Sequence, residues 1–133
     1  MDTPPVEPVI PPDLPACVVT AAQRYHIPLR AMLGVLRTEG GAVGQRVGNT
    51  NGTDDHGPFQ INTVWVQELE AFGYTAEVLT NNYCASAMAS AYILRHEINQ
   101  ADGDFWKGIG NYHSRTPRHH DRYVRKVYKN SMR

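Results

Sequence analysis

Apolar positions along this chain recur mostly at helical spacing. Over residues 14–26, Cys17, Val18, Ala21 and Tyr25 fall on successive turns, which predicts a helix. Asp13 stands where an N-cap belongs, with Pro15 in the first turn. A second helix is predicted over residues 27–39, with Pro28 near its first position. Leu29, Met32, Leu33 and Leu36 form its stripe, which runs on to Glu39 before Gly40 and Gly41 stop the helix. The pattern then breaks. Residues 41–58 hold five glycines and four Asn/Asp, which reads as loop, with Asn51-Gly52 as a hairpin turn signal. Helical spacing returns over residues 62–72, capped by Asn62 and apolar at Val66, Leu69 and Phe72. A short turn over residues 76–80 leads to a long helix over residues 82–99, striped by Cys84, Ala87, Met88, Ala91, Leu94 and Ile98. "GDFWKGIGNYHS" predicts a short helix and a loop, and Pro117 opens a last helix carrying Tyr123, Val124, Val127 and Tyr128. The expected fold is mainly α (α+β), one domain over residues 16–133. Residues 1–15 hold six of the nine prolines and read as an extended, polyproline-like tether.

Composition narrows the class. A chain of 133 residues, 41% hydrophobic, has enough apolar content for one packed core and too much for a disordered chain. No apolar run approaches the roughly 20 residues of a membrane span. No apolar stretch follows Met1, so either the protein is cytosolic or a leader has been removed. Net charge is zero, yet from Tyr112 onward seven Lys/Arg face a single acid, Asp121. This basic end is either a solvated helix face or a contact for an anionic polymer or surface. Its basic residues are not interleaved with aromatics as in nucleic-acid binders, so no nucleic-acid partner is expected. Cys17 and Cys84 are either two free thiols or one bridge. A bridge would close a loop of about 68 residues, stabilise the fold by up to about 4 kcal/mol, and imply an oxidising compartment.

Glu39 is the first candidate for chemistry. It lies three residues after Leu36 and seven after Met32, on the stripe that a helix buries. Burial raises a glutamate's pKa, and the negative end of the helix dipole pushes the same way. Such a carboxyl keeps its proton near neutral pH and can act as a general acid on a glycosidic oxygen. The alternative is an exposed glutamate beside a glycine cap. The segment "NTNGTDDHGPFQIN" brings Gln60, which offers a donor and an acceptor to a sugar hydroxyl or N-acetyl group. It also brings Asp54 and Asp55, which either supply a second carboxylate or fix the turn by Asx-type bonds. The segment "IGNYHSRTP" brings Tyr112, whose phenol would hold a sugar oxygen or the glutamate, with Asn111, His113 and Ser114 as polar neighbours. His113, His119, His120 and His56 lack a metal-site spacing, so no metal and no cofactor are expected.

The three segments in this order and register resemble the soluble lytic transglycosylase superfamily. The similarity is greatest to its small branch attached to type III and type IV secretion, pilus and conjugation systems, and covers about residues 16–128. The resemblance implies a lysozyme-like fold and cleavage of the MurNAc–GlcNAc β-1,4 bond in peptidoglycan glycan strands. It implies Glu39 as the single catalytic acid/base and places Gln60 at the substrate groove and Tyr112 near the glutamate. Asn51 and Asn62 become groove or loop-shaping residues, and Asp55, His113 and Ser114 further substrate contacts. It also implies a Cys17–Cys84 disulfide, a periplasmic location after leader removal, and a monomer working beside components of such an apparatus. One departure is Gly40, where many members carry serine. Two rival functions stay open: a hydrolytic muramidase in which Asp54 or Asp55 positions water, and a non-catalytic glycan-binding assembly module.

Overall fold

The computed structural model describes residues 13–133; the tether expected over residues 1–15 lies almost wholly outside them. Among the described residues helix makes up 64% and strand 7%, so the fold is mainly α with a small β region, as the hydrophobic pattern predicts. The elements are α1 (Ala16–Arg24), α2 (Leu29–Glu39), β1 (Arg46–Gly48), β2 (Asp54–His56), β3 (Ile61–Asn62), α3 (Thr63–Leu69), α4 (Ala76–Asn81), α5 (Tyr83–Gln100), α6 (Phe105–His113) and α7 (Pro117–Ser131).

Most helix starts follow local capping chemistry. The side chains of Asn62, Thr75, Asn82 and Asp104 accept backbone N–H groups at the starts of α3, α4, α5 and α6. Pro117 takes the first position of α7. At α1 the expectation fails: Pro15, not Asp13, is the N-cap and no side chain caps the helix. Residues 62–72 also differ from expectation. The α-helix ends at Leu69, tightens into a 3-10 turn at Glu70–Phe72, and reverses at Gly73 with φ +87°. Beyond that reversal no described residue covers Phe72, which is 77% exposed.

The core gathers much of the predicted stripes: Val18 and Ala21 from α1, Met32 from α2, Ala87, Ala91, Leu94 and Ile98 from α5, Val127 from α7. On α2 Val35, off the expected stripe, is fully buried, while Leu29 and Leu36 are only partly so. Phe59 and Ile61 plug it from the β region. Tyr128, placed on the α7 stripe by its spacing, is instead exposed. Helices α2 and α7 pack closely because Gly34 has no side chain; a Cβ there would lie 2.7 Å from the Val127 carbonyl. Cys17 and Cys84 are bridged, with Cα atoms 5.5 Å apart, tying α1 to the start of α5. The sheet is antiparallel in the order β1-β2-β3, with Val47 opposite Asp55 and Asp55 opposite Asn62. Its β1–β2 hairpin turns through Asn51-Gly52, Gly52 having φ +86°. No helix among the described residues is long and apolar enough to cross a membrane.

Candidate active site

The two glycines after Glu39 do different jobs. Gly40 adopts φ +63° and its N–H closes α2 on the Leu36 carbonyl. Gly41 is needed for space: a Cβ there would overlap the Gly57 carbonyl and come within 2.9 Å of Gln60 Nε2. The "GPFQ" corner therefore seats directly against the chain leaving the acid. At that corner Gln60 itself takes φ +53° and its Nε2 donates to the Gly57 carbonyl at 2.9 Å. A left-handed non-glycine residue is a strained position, held here by its surroundings.

Glu39 sits half-buried at the end of α2 and lines a groove of about 610 Å³. The Tyr123 hydroxyl, from α7, donates to Glu39 Oε2 at 2.7 Å. The Glu39 pKa is raised from 4.5 to about 7. Loss of water by burial is the main cause; the Tyr123 hydrogen bond pulls it down and the Asp55 charge adds to the rise. Tyr123 and Tyr112 are themselves pushed well above the usual phenol range, first by burial and then by the nearby Glu39 charge. Both are neutral hydroxyls at physiological pH.

The groove brings together most of the residues that the sequence singles out. Asn51, Asp55, Gln60, Asn62, Tyr112 and His113 all line it with Glu39, as do Asn111, Trp65 and Ile93. Asn51 acts as a turn former, its Oδ1 accepting from the Thr53 N–H and hydroxyl. Asn62 Nδ2 donates to Asp55 Oδ1 at 3.0 Å and to Thr53 Oγ1 at 3.1 Å, which fixes the β2–β3 wall. Asp54 is not among the lining residues; its N–H and carbonyl are both engaged by the Thr63 hydroxyl.

The "NYHSRTP" segment forms the opposite wall, and nearly every residue in it has a separate partner. The Tyr112 hydroxyl donates to the Phe59 carbonyl at 2.9 Å and lies 3.0 Å from the Ser90 hydroxyl. The phenol on the glutamate is therefore that of Tyr123, not Tyr112. His113 ends α6 and lies flat on the Tyr123 ring, with centroids 4.7 Å apart and planes 9° apart. Ser114 does not line the groove; its hydroxyl accepts the Thr116 N–H and its carbonyl contacts His120 Nδ1 at 3.0 Å. Arg115 donates to both oxygens of Glu97 on α5, at 2.7 and 3.0 Å. His56 is buried between Thr80 and Thr63 hydroxyls, and burial lowers its pKa. Among the described residues no three His, Cys, Asp or Glu side chains converge as a metal site would require.

Sequence reasoning missed Tyr123 as a functional residue, reading it as core. One signal pointed to it: a tyrosine on a stripe read as core carries a hydroxyl that burial obliges to find a partner. Glu97, Arg115 and Ser90 were missed for a different reason, since each is defined by a partner distant in sequence.

No family model matches the chain. It is distantly similar to the invasion protein IagB of Salmonella typhimurium and of Salmonella typhi. Each is 27% identical over 122 residues, an alignment covering 86% of this chain and 74% of the relative.

Proposed function

We propose that this protein is a peptidoglycan lytic transglycosylase on a lysozyme-like frame, with Glu39 as its single acid and base. The observation that carries this reading is a carboxyl with a pKa near 7 on the wall of a groove lined by amides and aromatics. In the mechanism, protonated Glu39 gives its proton to the glycosidic oxygen. The bond from that oxygen to the MurNAc C1 breaks, and the released GlcNAc keeps the proton on its 4-hydroxyl. The substrate's own N-acetyl oxygen stabilises the positive C1. Glu39, now a carboxylate, takes the proton of the MurNAc C6 hydroxyl, whose oxygen bonds to C1 and closes a 1,6-anhydro ring. The acid is regenerated, so no net proton is consumed and no metal or cofactor is called for. The neutral Tyr123 phenol, fixed on Oε2, serves both halves: it orients the acid and shares the charge of the carboxylate.

Asp55 supports a second reading, hydrolysis, because it shares the groove and is near enough to raise the Glu39 pKa. Its engagement by Asn62 favours a wall-forming role over activation of water. The disulfide suits an oxidising compartment, and we place the protein in the periplasm. The similar Salmonella proteins are named as invasion proteins, which supports local opening of the wall for an envelope-crossing secretion, pilus or conjugation apparatus.

Digestion of purified sacculi with product mass spectrometry tests the proposal. Anhydro-ended muropeptides are expected; reducing ends would assign hydrolysis, and bound but undigested sacculi would assign a binding module. Glu39→Gln should lose at least about a hundredfold in release, the usual worth of a general acid. Activity should decline as pH rises through about 7, where Glu39 loses its proton.

A further inference from the structure

His113 is placed unlike the other residues of its segment. Tyr112, Ser114 and Arg115 turn to the Phe59 carbonyl, the Thr116 N–H and Glu97, which fixes the backbone on both sides of residue 113. His113 is exposed, and its ring lies on Tyr123 with planes only 9° apart. Tyr123 is 4% exposed and donates to Glu39. The imidazole is thus the cover between a buried ring and the open groove, and the ring beneath it holds the acid.

We propose that His113 is a positioning residue that acts through Tyr123: its flat ring clamps the phenol in the orientation that donates to Glu39. Its part is a shape, not a proton. Flat stacking at 4.7 Å is within the separation at which aromatic pairs attract. The hydrogen bond it protects is directional, weakening steeply once the phenol swings away from the carboxyl. The charged and titratable groups around His113 are Asp55 on β2 and His119 and Lys126 on α7. Partial burial lowers the pKa of the imidazole, and the His119 and Lys126 charges push the same way, so the ring that stacks at neutral pH is the uncharged one.

This inference rests on Glu39 being the reacting acid only for its catalytic consequence; the clamp itself is read without substrate. The experiment uses the full chain with His113→Ala, His113→Phe and, as a benchmark, Tyr123→Phe. The first readout is the Glu39 carboxyl titration by carbon-13 NMR. Because the Tyr123 hydrogen bond lowers the Glu39 pKa, Tyr123→Phe should shift that titration upward. His113→Ala should shift it in the same direction, and His113→Phe, which restores a flat ring, should return it to the wild-type position. The second readout is sacculus digestion. His113→Ala should lose about tenfold in turnover, as misplacement of a catalytic group does, with binding to sacculi unchanged, and His113→Phe should recover most of it. An unmoved Glu39 titration in folded His113→Ala overturns the clamp. So does His113→Phe failing as badly as Ala, which would make His113 a polar contact to the glycan. If wild-type protein digests nothing, the enzymatic reading fails while the NMR result still decides the clamp.

Discussion

A carboxyl that keeps its proton to about pH 7 must cost the fold something when it ionises. The Glu39 pKa is raised in the folded protein from 4.5 to about 7. Between these values the folded state therefore binds more protons than the unfolded state. The stability slope with pH is negative wherever that holds: the contribution of Glu39 is favourable below pH 4.5 and is lost as pH climbs through 7. The full shift corresponds to up to about 3 kcal/mol. Glu39→Gln keeps an acceptor for the Tyr123 hydroxyl and removes the charge. It should therefore be more stable than wild type at pH 8 and about equal at pH 5. His56 gives the opposite slope, since burial lowers its pKa and stability is lost as pH falls through its range. That term is common to both proteins and cancels in the comparison. Urea denaturation of the two at both pH values measures the difference, and equal gaps at pH 5 and pH 8 would remove burial of the charge as the cause of the shift. The same strain that makes Glu39 a usable acid thus makes its loss stabilising, a trade seen where function is built on an unfavourable residue.

At the scale of elements, the α6–α7 corner holds the second wall of the groove, and the Arg115–Glu97 pair fastens it to α5. The pair is lopsided: the Glu97 side chain is 6% exposed and that of Arg115 62%. Arg115→Ala would leave a buried carboxylate without its cation, which costs about 1–3 kcal/mol. Adding Glu97→Gln should recover part of that loss, because a neutral amide is cheaper to bury than an unpaired charge. Thermal unfolding of the single and double variants checks this, and a single variant as stable as wild type would make the pair ornamental. The corner also shows what a sequence can carry. Stripes such as Met32–Leu33 and Leu94–Ile98 locate helices because burial imposes period on neighbours in the chain. Asn62 and Pro117 mark helix starts because capping is local. The partnership of Tyr123 with Glu39, 84 positions apart, is set by the packing of α7 on α2, which no local pattern specifies. The three segments were legible as a groove by resemblance, but which tyrosine holds the acid was not. Phe72 and Tyr128 fell on apolar spacing and proved exposed, since spacing gives a face and only the fold decides whether anything covers it.

Across the whole molecule, stability and chemistry are drawn from different places. The groove runs between the β2–β3 wall and the α6 end, with Glu39 among its lining residues. The disulfide joins α1 to the start of α5, and neither Cys17 nor Cys84 lines the groove. The residues bridged are 67 positions apart. Such a bridge mainly removes freedom from the unfolded chain, worth up to about 4 kcal/mol for a loop of this length in the chain-entropy model. The folded contacts on either side of it are ordinary helix packing, so cutting it changes the unfolded state far more than the native one. Reduction with dithiothreitol, or Cys17→Ser with Cys84→Ser, should therefore lower the urea midpoint strongly while leaving the Glu39 titration in place at 25 °C. The two effects separate because the acid's environment depends on α2, α7 and Asp55, and the bridged cysteines lie on α1 and α5. A reduced protein that stays folded yet titrates Glu39 near an ordinary glutamate value would show that the bridge shapes the site itself. A reduced protein with an unchanged midpoint would show that the unfolded chain is already compact between the two cysteines.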